Sequence, residues 1–357
     1  MNSKQFKWML AIFMSVSLLI PLNINFASAT QKPLVLKVSM FTPKAVVYTK
    51  ANGWILHEVE RRSKGKIKFE YFYSGSLLPA KQTIAGLQTG VADIAFVATP
   101  YEPGKLPLCT VTSLPMTGKR FYNSAMAFRD LQQMPELKAE LGKYNIRYLA
   151  FCNNSSYGLW STNGIHSIAE VKGKKIRAIG GQAILMKALG AVPVSIISTE
   201  VYTALEKGTL DGSLANPIFG FDYKYNEVCR FFYALMFGNV PFLMGINKDS
   251  WEKIPSDIQK MFEDLHEPAA RAAHEIYETA GEKNLQEAQA KGTVKVTEPT
   301  EKDVAFVTNL AKETVWKEWI AKMNRSGLPG EKVLDNYLKL LKKWGAQSPF
   351  KRPIYGR

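Results

Sequence analysis

Cysteine and histidine are scarce: the 357 residues include 3 of one and 4 of the other. Three cysteines allow at most one disulfide, which excludes a scaffold built on bridges. Cys109, Cys152 and Cys229 follow Leu108, Phe151 and Val228, so buried thiols are expected. No Cys or His stands at metal-ligand spacing, and neither a metal nor a cofactor is expected. His266 and His274 are eight apart in a Glu- and Ala-rich helical stretch, where a solvated face is expected. Catalytic signatures are missing as well. There is no G-x-S-x-G elbow, no phosphate loop, no H-E-x-x-H and no G-x-G-x-x-G after a strand. Glu58 and Glu60 fall on different helix faces, and Glu263-Asp264 sits in a solvated helix, so neither makes an acid/base pair. The scan weighs against an enzyme. Acid is in short supply too, 31 Asp and Glu against 46 Lys and Arg, a net charge of +15. With 46% hydrophobic and 11% aromatic residues, disorder is excluded and a two-domain globular chain is expected.

The one long apolar run lies at the N-terminus. Lys4 and Lys7, an apolar stretch over 8–22 and Ala27-Ser28-Ala29 follow the order of a secretory signal peptide, with cleavage after Ala29. The alternative is an uncleaved anchor, but the stretch is shorter than the ~20 residues that span a bilayer, and Pro21 and Asn23 interrupt it. Export to the periplasm is expected, with no stable membrane insertion afterwards. Loss of Lys4 and Lys7 leaves a mature chain of +13. The basic excess therefore meets no genomic DNA, and no nucleic-acid partner is expected.

Beyond the signal the chain alternates strand and helix. Strands are expected at 34–40, 67–73 and 91–97, with helices at 45–63 and 82–87 between them. A helix at 124–141 and a strand at 146–152 follow, and Asn153-Asn154-Ser155-Ser156-Tyr157-Gly158 then reads as a hinge. A second alternation runs through strands at 172–179, 192–197 and 212–215 with helices at 182–189 and 200–207. Residues 256–291 read as one long helix or two abutting ones. Thr300 to Asp303 opens another with a capping box, and a last helix is expected at 331–344. The fold class is α/β: two lobes with largely parallel sheets, a central cleft, hinge crossovers and a long helix spanning both. Residues 30–153 with about 242–285 are expected in lobe I, and 154–241 with about 286–357 in lobe II. Ligands of such sheets sit beyond the carboxyl ends of strands, here near 40–48, 74–78 and 98–101.

The basic strand Lys172-Gly173-Lys174-Lys175-Ile176-Arg177 has its last cation closest to the carboxyl end. An arginine fork there suits a carboxylate, with fixed plane and direction. On the local sequence alone, a surface arginine on an edge strand is the favoured reading.

Three segments reverse that preference: Val171 to Arg177, then Leu189-Gly190-Ala191-Val192-Pro193, then Glu200-Val201-Tyr202-Thr203-Ala204-Leu205-Glu206-Lys207-Gly208-Thr209-Leu210-Asp211-Gly212. In this order they closely resemble the solute-binding receptors of TRAP (tripartite ATP-independent periplasmic) transporters, of the C4-dicarboxylate-binding type. Ser74-Gly75-Ser76-Leu77-Leu78, Leu87-Gln88-Thr89-Gly90-Val91-Ala92-Asp93-Ile94 and Ser113-Leu114-Pro115-Met116 agree with it. The resemblance implies a receptor whose two lobes close on a small organic acid and deliver it to TRAP-type membrane permease subunits. Arg177 falls on the family's carboxylate-pairing arginine, and Asn216 resembles its ligand-contacting asparagine, in a loop one residue longer.

The chain also departs from sialic-acid-type members. Gly158, between Tyr157 and Trp160, stands where they carry a second arginine, Ala98 where they have a glutamate, and Ser198 where an aromatic is common. Losing a cation and an acid argues against a polyhydroxylated sugar acid. Tyr101, Tyr157, Trp160, Phe219, Phe96 and Phe221 near the expected cleft point to a monocarboxylate with an apolar or aromatic body, although each ring alone also fits ordinary core.

Overall fold

The computed structural model describes residues 32–350 apart from Pro103, Lys119, 152–154 and Pro241. The expected signal peptide, Cys152 and the first two hinge asparagines lie outside the described residues.

Two sheets carry the architecture. The first has the order β2-β1-β3-β10-β4, built from β1 (Leu34–Ser39), β2 (Ile67–Phe72), β3 (Ile94–Ala98), β4 (Ile146–Phe151) and β10 (Phe242–Asn247). The second has the order β11-β9-β5-β8-β6-β7, from β5 (Gly158–Ser161), β6 (Lys175–Arg177), β7 (Val192–Val194), β8 (Gly212–Ala215), β9 (Phe231–Tyr233) and β11 (Lys295–Thr297). Each sheet is parallel except for one strand: β10 runs against β3 and β4, and β5 against β8 and β9. Both exceptions are the first strand after a crossover. A chain leaving one sheet at its carboxyl end enters the other sheet at the same end, so its next strand must run backwards. β3 is buried at every residue and β10 likewise, as central strands covered on both faces are.

The two lobes use one local device twice. Gly90 and Gly208, at φ 72° and 67°, end helices Thr83–Gln88 and Val201–Glu206 in the left-handed conformation that glycine adopts without strain. Three residues later Asp93 accepts from Lys37 N (2.7 Å) and Asp211 from Lys175 N (2.7 Å), pinning each returning chain to its neighbouring strand.

Several elements are shorter than expected. The 124–141 helix divides into Phe121–Leu131 and Pro135–Gly142, because Pro135 occupies a first turn. The basic strand narrows to β6 between Gly173 and Gly180, both at positive φ. The long helix becomes Ser256–Asp264, His266–His274, a π-helical turn at Glu275–Thr279, and Ala280–Ala290. Its middle part packs on Val47–Arg62 and Phe121–Leu131, and its last part on Pro217–Asp222, so it touches both lobes. The capping box at Thr300 forms as expected, with Thr300 and Asp303 each accepting from the other's backbone.

Two expectations are corrected. His274 is buried, its Nδ1 2.9 Å from Glu278 Oε2, and His266 stacks on Tyr148, so neither lies on a solvated face. The last helix, Gly330–Gln347, lies against Phe121–Leu131 of lobe I instead of joining lobe II, with Trp344 Nε1 donating to Asp130 Oδ2 (2.8 Å). Cys109 and Cys229 are free and buried, and burial pushes the Cys229 thiol up to about 12. Among the described residues no helix is long and apolar enough to cross a membrane.

Candidate ligand-binding site

Arg177 is the last residue of β6, paired with Ser213 of β8 and Val194 of β7, and only 2% of its surface is exposed. Its Nε donates to the Ile196 carbonyl (3.2 Å), and its Nη2 donates to the Tyr101 hydroxyl (3.2 Å). Tyr101 comes from the 3₁₀ turn Thr99–Tyr101 just beyond β3 and Ala98, so this bond joins the carboxyl ends of the two sheets. Burial opposes the Arg177 charge, and the nearby hydroxyls of Tyr101, Tyr225 and Tyr157 more than offset it, which holds its pKa above the ordinary arginine value. No Asp or Glu lies at ion-pair distance from Arg177 among the described residues, although a buried cation without a counter-charge costs several kcal/mol.

Asn216 follows β8 and caps Pro217–Asp222: its Oδ1 accepts from Phe219 N at 2.8 Å. The cap fixes the amide plane and leaves Nδ2 without a partner among the described residues, on a residue with no exposed surface. Phe219 sits on that short helix with its ring centroid 4.4 Å from Tyr223 and 6.5 Å from Tyr48 of lobe I. Ser198 is buried beside the Tyr223 hydroxyl. A tyrosine from another element thus fills the neighbourhood that Ser198 leaves open. Burial drives the Tyr223 phenol well above its ordinary value.

The remaining expected residues divide. Tyr157 is buried and electrostatically coupled to Arg177, held in place by backbone bonds to Gly238 and Phe237. Ala98 is fully buried at the end of β3, opposite Phe242. Gly158 lies in β5 under the Phe232 ring, where an added Cβ would fall 2.3 Å from Cζ. Trp160 packs inside lobe II against Phe232 (4.9 Å) and Phe221 (5.6 Å), in core rather than against Arg177. Phe96 is likewise core of lobe I, edge-on to Tyr48. Sequence reasoning stopped at Phe221 and missed Asp222, Tyr223 and Tyr225. The signal was present: the alternation Phe219, Phe221 continues through Tyr223 and Tyr225.

Asp222 closes the same helix, and its Oδ2 accepts from Tyr48 N (3.4 Å) at the start of lobe I helix Val47–Arg62. Burial raises its pKa to about 6, against the opposing pull of the Tyr48 and Val47 N–H groups and of Lys50. Beside the Asp222 carboxyl, the described residues here bring together one buried cation, Arg177, with neutral donors and aromatic rings from both lobes. That set suits a small anion with an apolar body.

The family model for bacterial extracellular solute-binding proteins, family 7, matches residues 38–322. The C4-dicarboxylate-binding periplasmic protein DctP of Rhodobacter capsulatus is 25% identical over 280 residues, covering 78% of this chain and 84% of that protein. Among solved structures, a TRAP solute-binding protein of Rhodoferax ferrireducens with copurified benzoate superposes with a TM-score of 0.80 at 21% identity, over 88% of this chain and 99% of that one. A marine metagenome TRAP protein specific for aromatic acid ligands, with 3-hydroxybenzoate, gives 0.79 at 21% identity over the same shares. These two structures share the fold.

Proposed function

The chain belongs to the bacterial extracellular solute-binding proteins of family 7, the receptors of TRAP transporters, and from that premise we propose that it captures a monocarboxylate with an apolar or aromatic body between its lobes. The observation that carries this reading is Arg177, a buried guanidinium with no carboxylate partner among the described residues. A ligand carboxylate supplies that partner. The rings of Phe219, Tyr223 and Tyr101 surround the position, and the benzoate and 3-hydroxybenzoate held by the two fold neighbours have the chemistry that fits it. The acid is released unchanged to a membrane permease from a periplasmic receptor whose first 29 residues have been removed, and no chemistry is performed on it.

Arg177→Ala tests this. In a thermal-shift screen of organic acids, the acids that stabilise the wild-type protein should have no effect on the variant, because a bound carboxylate would face an uncharged pocket. Stabilisation equal to wild type would remove Arg177 from the site and the reading with it.

A further inference from the structure

Tyr225 is as deeply buried as any residue near Arg177, yet its hydroxyl has no hydrogen-bond partner among the described residues. The residue is held firmly. It opens the short helix Tyr225–Val228 directly after Lys224, a non-glycine residue in the left-handed region at φ 61°. Its ring centroid lies 6.3 Å from Phe219 and 6.4 Å from Tyr223, so it belongs to the same aromatic wall as the Asn216-capped helix. A buried polar group is ordinarily paired, and one that stays unpaired on a fixed side chain points to a missing partner. The Asn216 amide Nδ2 nearby is orphaned in the same way.

We propose that the Tyr225 hydroxyl is a ligand contact, donating its hydrogen bond to the same carboxylate that Arg177 holds. This assignment rests on the carboxylate reading above. Arg177 commits Nε to the Ile196 carbonyl and Nη2 to Tyr101, which fixes the guanidinium plane before any ligand arrives. After burial itself, the Arg177 charge is the largest influence on the Tyr225 phenol, so the two groups face a common space. An anion between them satisfies both, accepting from the guanidinium and from a neutral O–H. Burial keeps that phenol protonated and therefore a donor at every physiological pH. Tyr225 thereby favours a carboxylate irrespective of what the ligand carries at its other end, and the body of the ligand is left to Phe219 and Tyr223.

The test uses the full chain and its Tyr225→Phe variant, titrated calorimetrically with benzoate, 3-hydroxybenzoate and succinate beside Arg177→Ala. Tyr225→Phe should keep or raise the midpoint of the ligand-free protein, since it removes an unpaired buried hydroxyl. It should also weaken every acid that binds wild type, by roughly 10- to 100-fold, the loss expected of a hydrogen bond to a charged group. Affinity within twofold of wild type overturns the assignment while the carboxylate reading stands. So does a loss confined to 3-hydroxybenzoate, which would place Tyr225 at the ligand's own hydroxyl. Full binding by Arg177→Ala, or no binding of any acid by wild type, overturns the carboxylate reading and this inference together. A crystal structure of the wild-type benzoate complex gives a second measurement that needs no variant. A distance of about 2.5–3.0 Å from Tyr225 Oη to a carboxylate oxygen supports the contact, and one beyond 3.5 Å refutes it.

Discussion

At the scale of single residues, what a position holds and why it holds it were legible to different degrees. Arg177 was legible because its neighbours form a specific motif, and its burial without an acid partner adds the physical reason. Gly158 was read as an arginine lost, a reading about charge that gives no reason why glycine stands there. The cause is steric: an added Cβ would lie 2.3 Å from Phe232 Cζ and 2.9 Å from the Tyr233 carbonyl. Phe232 is fully buried and cannot swing away. Gly158→Ala should therefore destabilise the protein by about 1–3 kcal/mol through overpacking. Urea unfolding checks this, and a midpoint equal to wild type would show that β5 and β9 can part without cost. The same crowding leaves no room for an arginine at this position. Tyr225 and Tyr223 were not legible as candidate site residues, because an alternating aromatic run looks the same whether it lines a core or a cleft.

Among elements, Pro217–Asp222 does the most for its six residues. Asn216 caps its start, Phe219 lies on its inner face, and Asp222 at its end reaches the first turn of Val47–Arg62 in the other lobe. Helix N-termini favour negative charge, but burial costs this carboxylate more than the two N–H groups return, and its pKa stands at about 6 instead of the ordinary 3.8. The folded protein thus keeps a proton on Asp222 that the unfolded chain has lost. Stability attributable to this group is greatest below about pH 4, falls as pH rises through the interval to about 6, and is level above it. Lys50 and Tyr223 are the other titratable groups that act on it. Asp222→Asn keeps an acceptor for Tyr48 N and removes the titration, so its midpoint relative to wild type should climb between pH 4 and 6.5 and then stay constant. A difference that does not change between pH 4.5 and 7.5 would mean that Asp222 is ionised without penalty. This helix escaped the sequence reading, as did β9 and β10, because apolar runs of three to six residues between 217 and 247 show neither helical nor strand periodicity. The Gly-x-x-Asp turns at 90–93 and 208–211 entered the sequence reading only within segments that resemble the family, and the structure adds their physical reason, since backbone conformation and hydrogen bonding both depend on the residue type.

For the whole molecule, the charge that dominates the composition has little to do with the proposed site, which would use one of 46 basic residues, Arg177. Two lobes were legible from the double alternation of strand and helix. The attachment of the C-terminal helix to lobe I was not, because contacts such as Trp344 to Asp130, 214 residues apart, leave no local trace in sequence. Those long-range attachments decide how the protein should unfold. The helical series from His266 to Ala290 packs on Val47–Arg62 at one end and on Pro217–Asp222 at the other, and the Arg177–Tyr101 bond closes the cleft between them. A ligand held between Arg177 and the lobe I rings is lost if either lobe melts, so both must share its binding energy. At a free concentration of 100 times Kd that energy is about 2.7 kcal/mol. Spread over the described residues, about 310 of them, and an unfolding entropy of about 2 cal/mol/K per residue, it lifts the midpoint by roughly 4 °C. Calorimetry with benzoate, or with whichever acid binds tightest, should show one transition moving by that amount. Two transitions, of which only one responds to the acid, would mean that the ligand is held by a single lobe and that closure contributes nothing to binding.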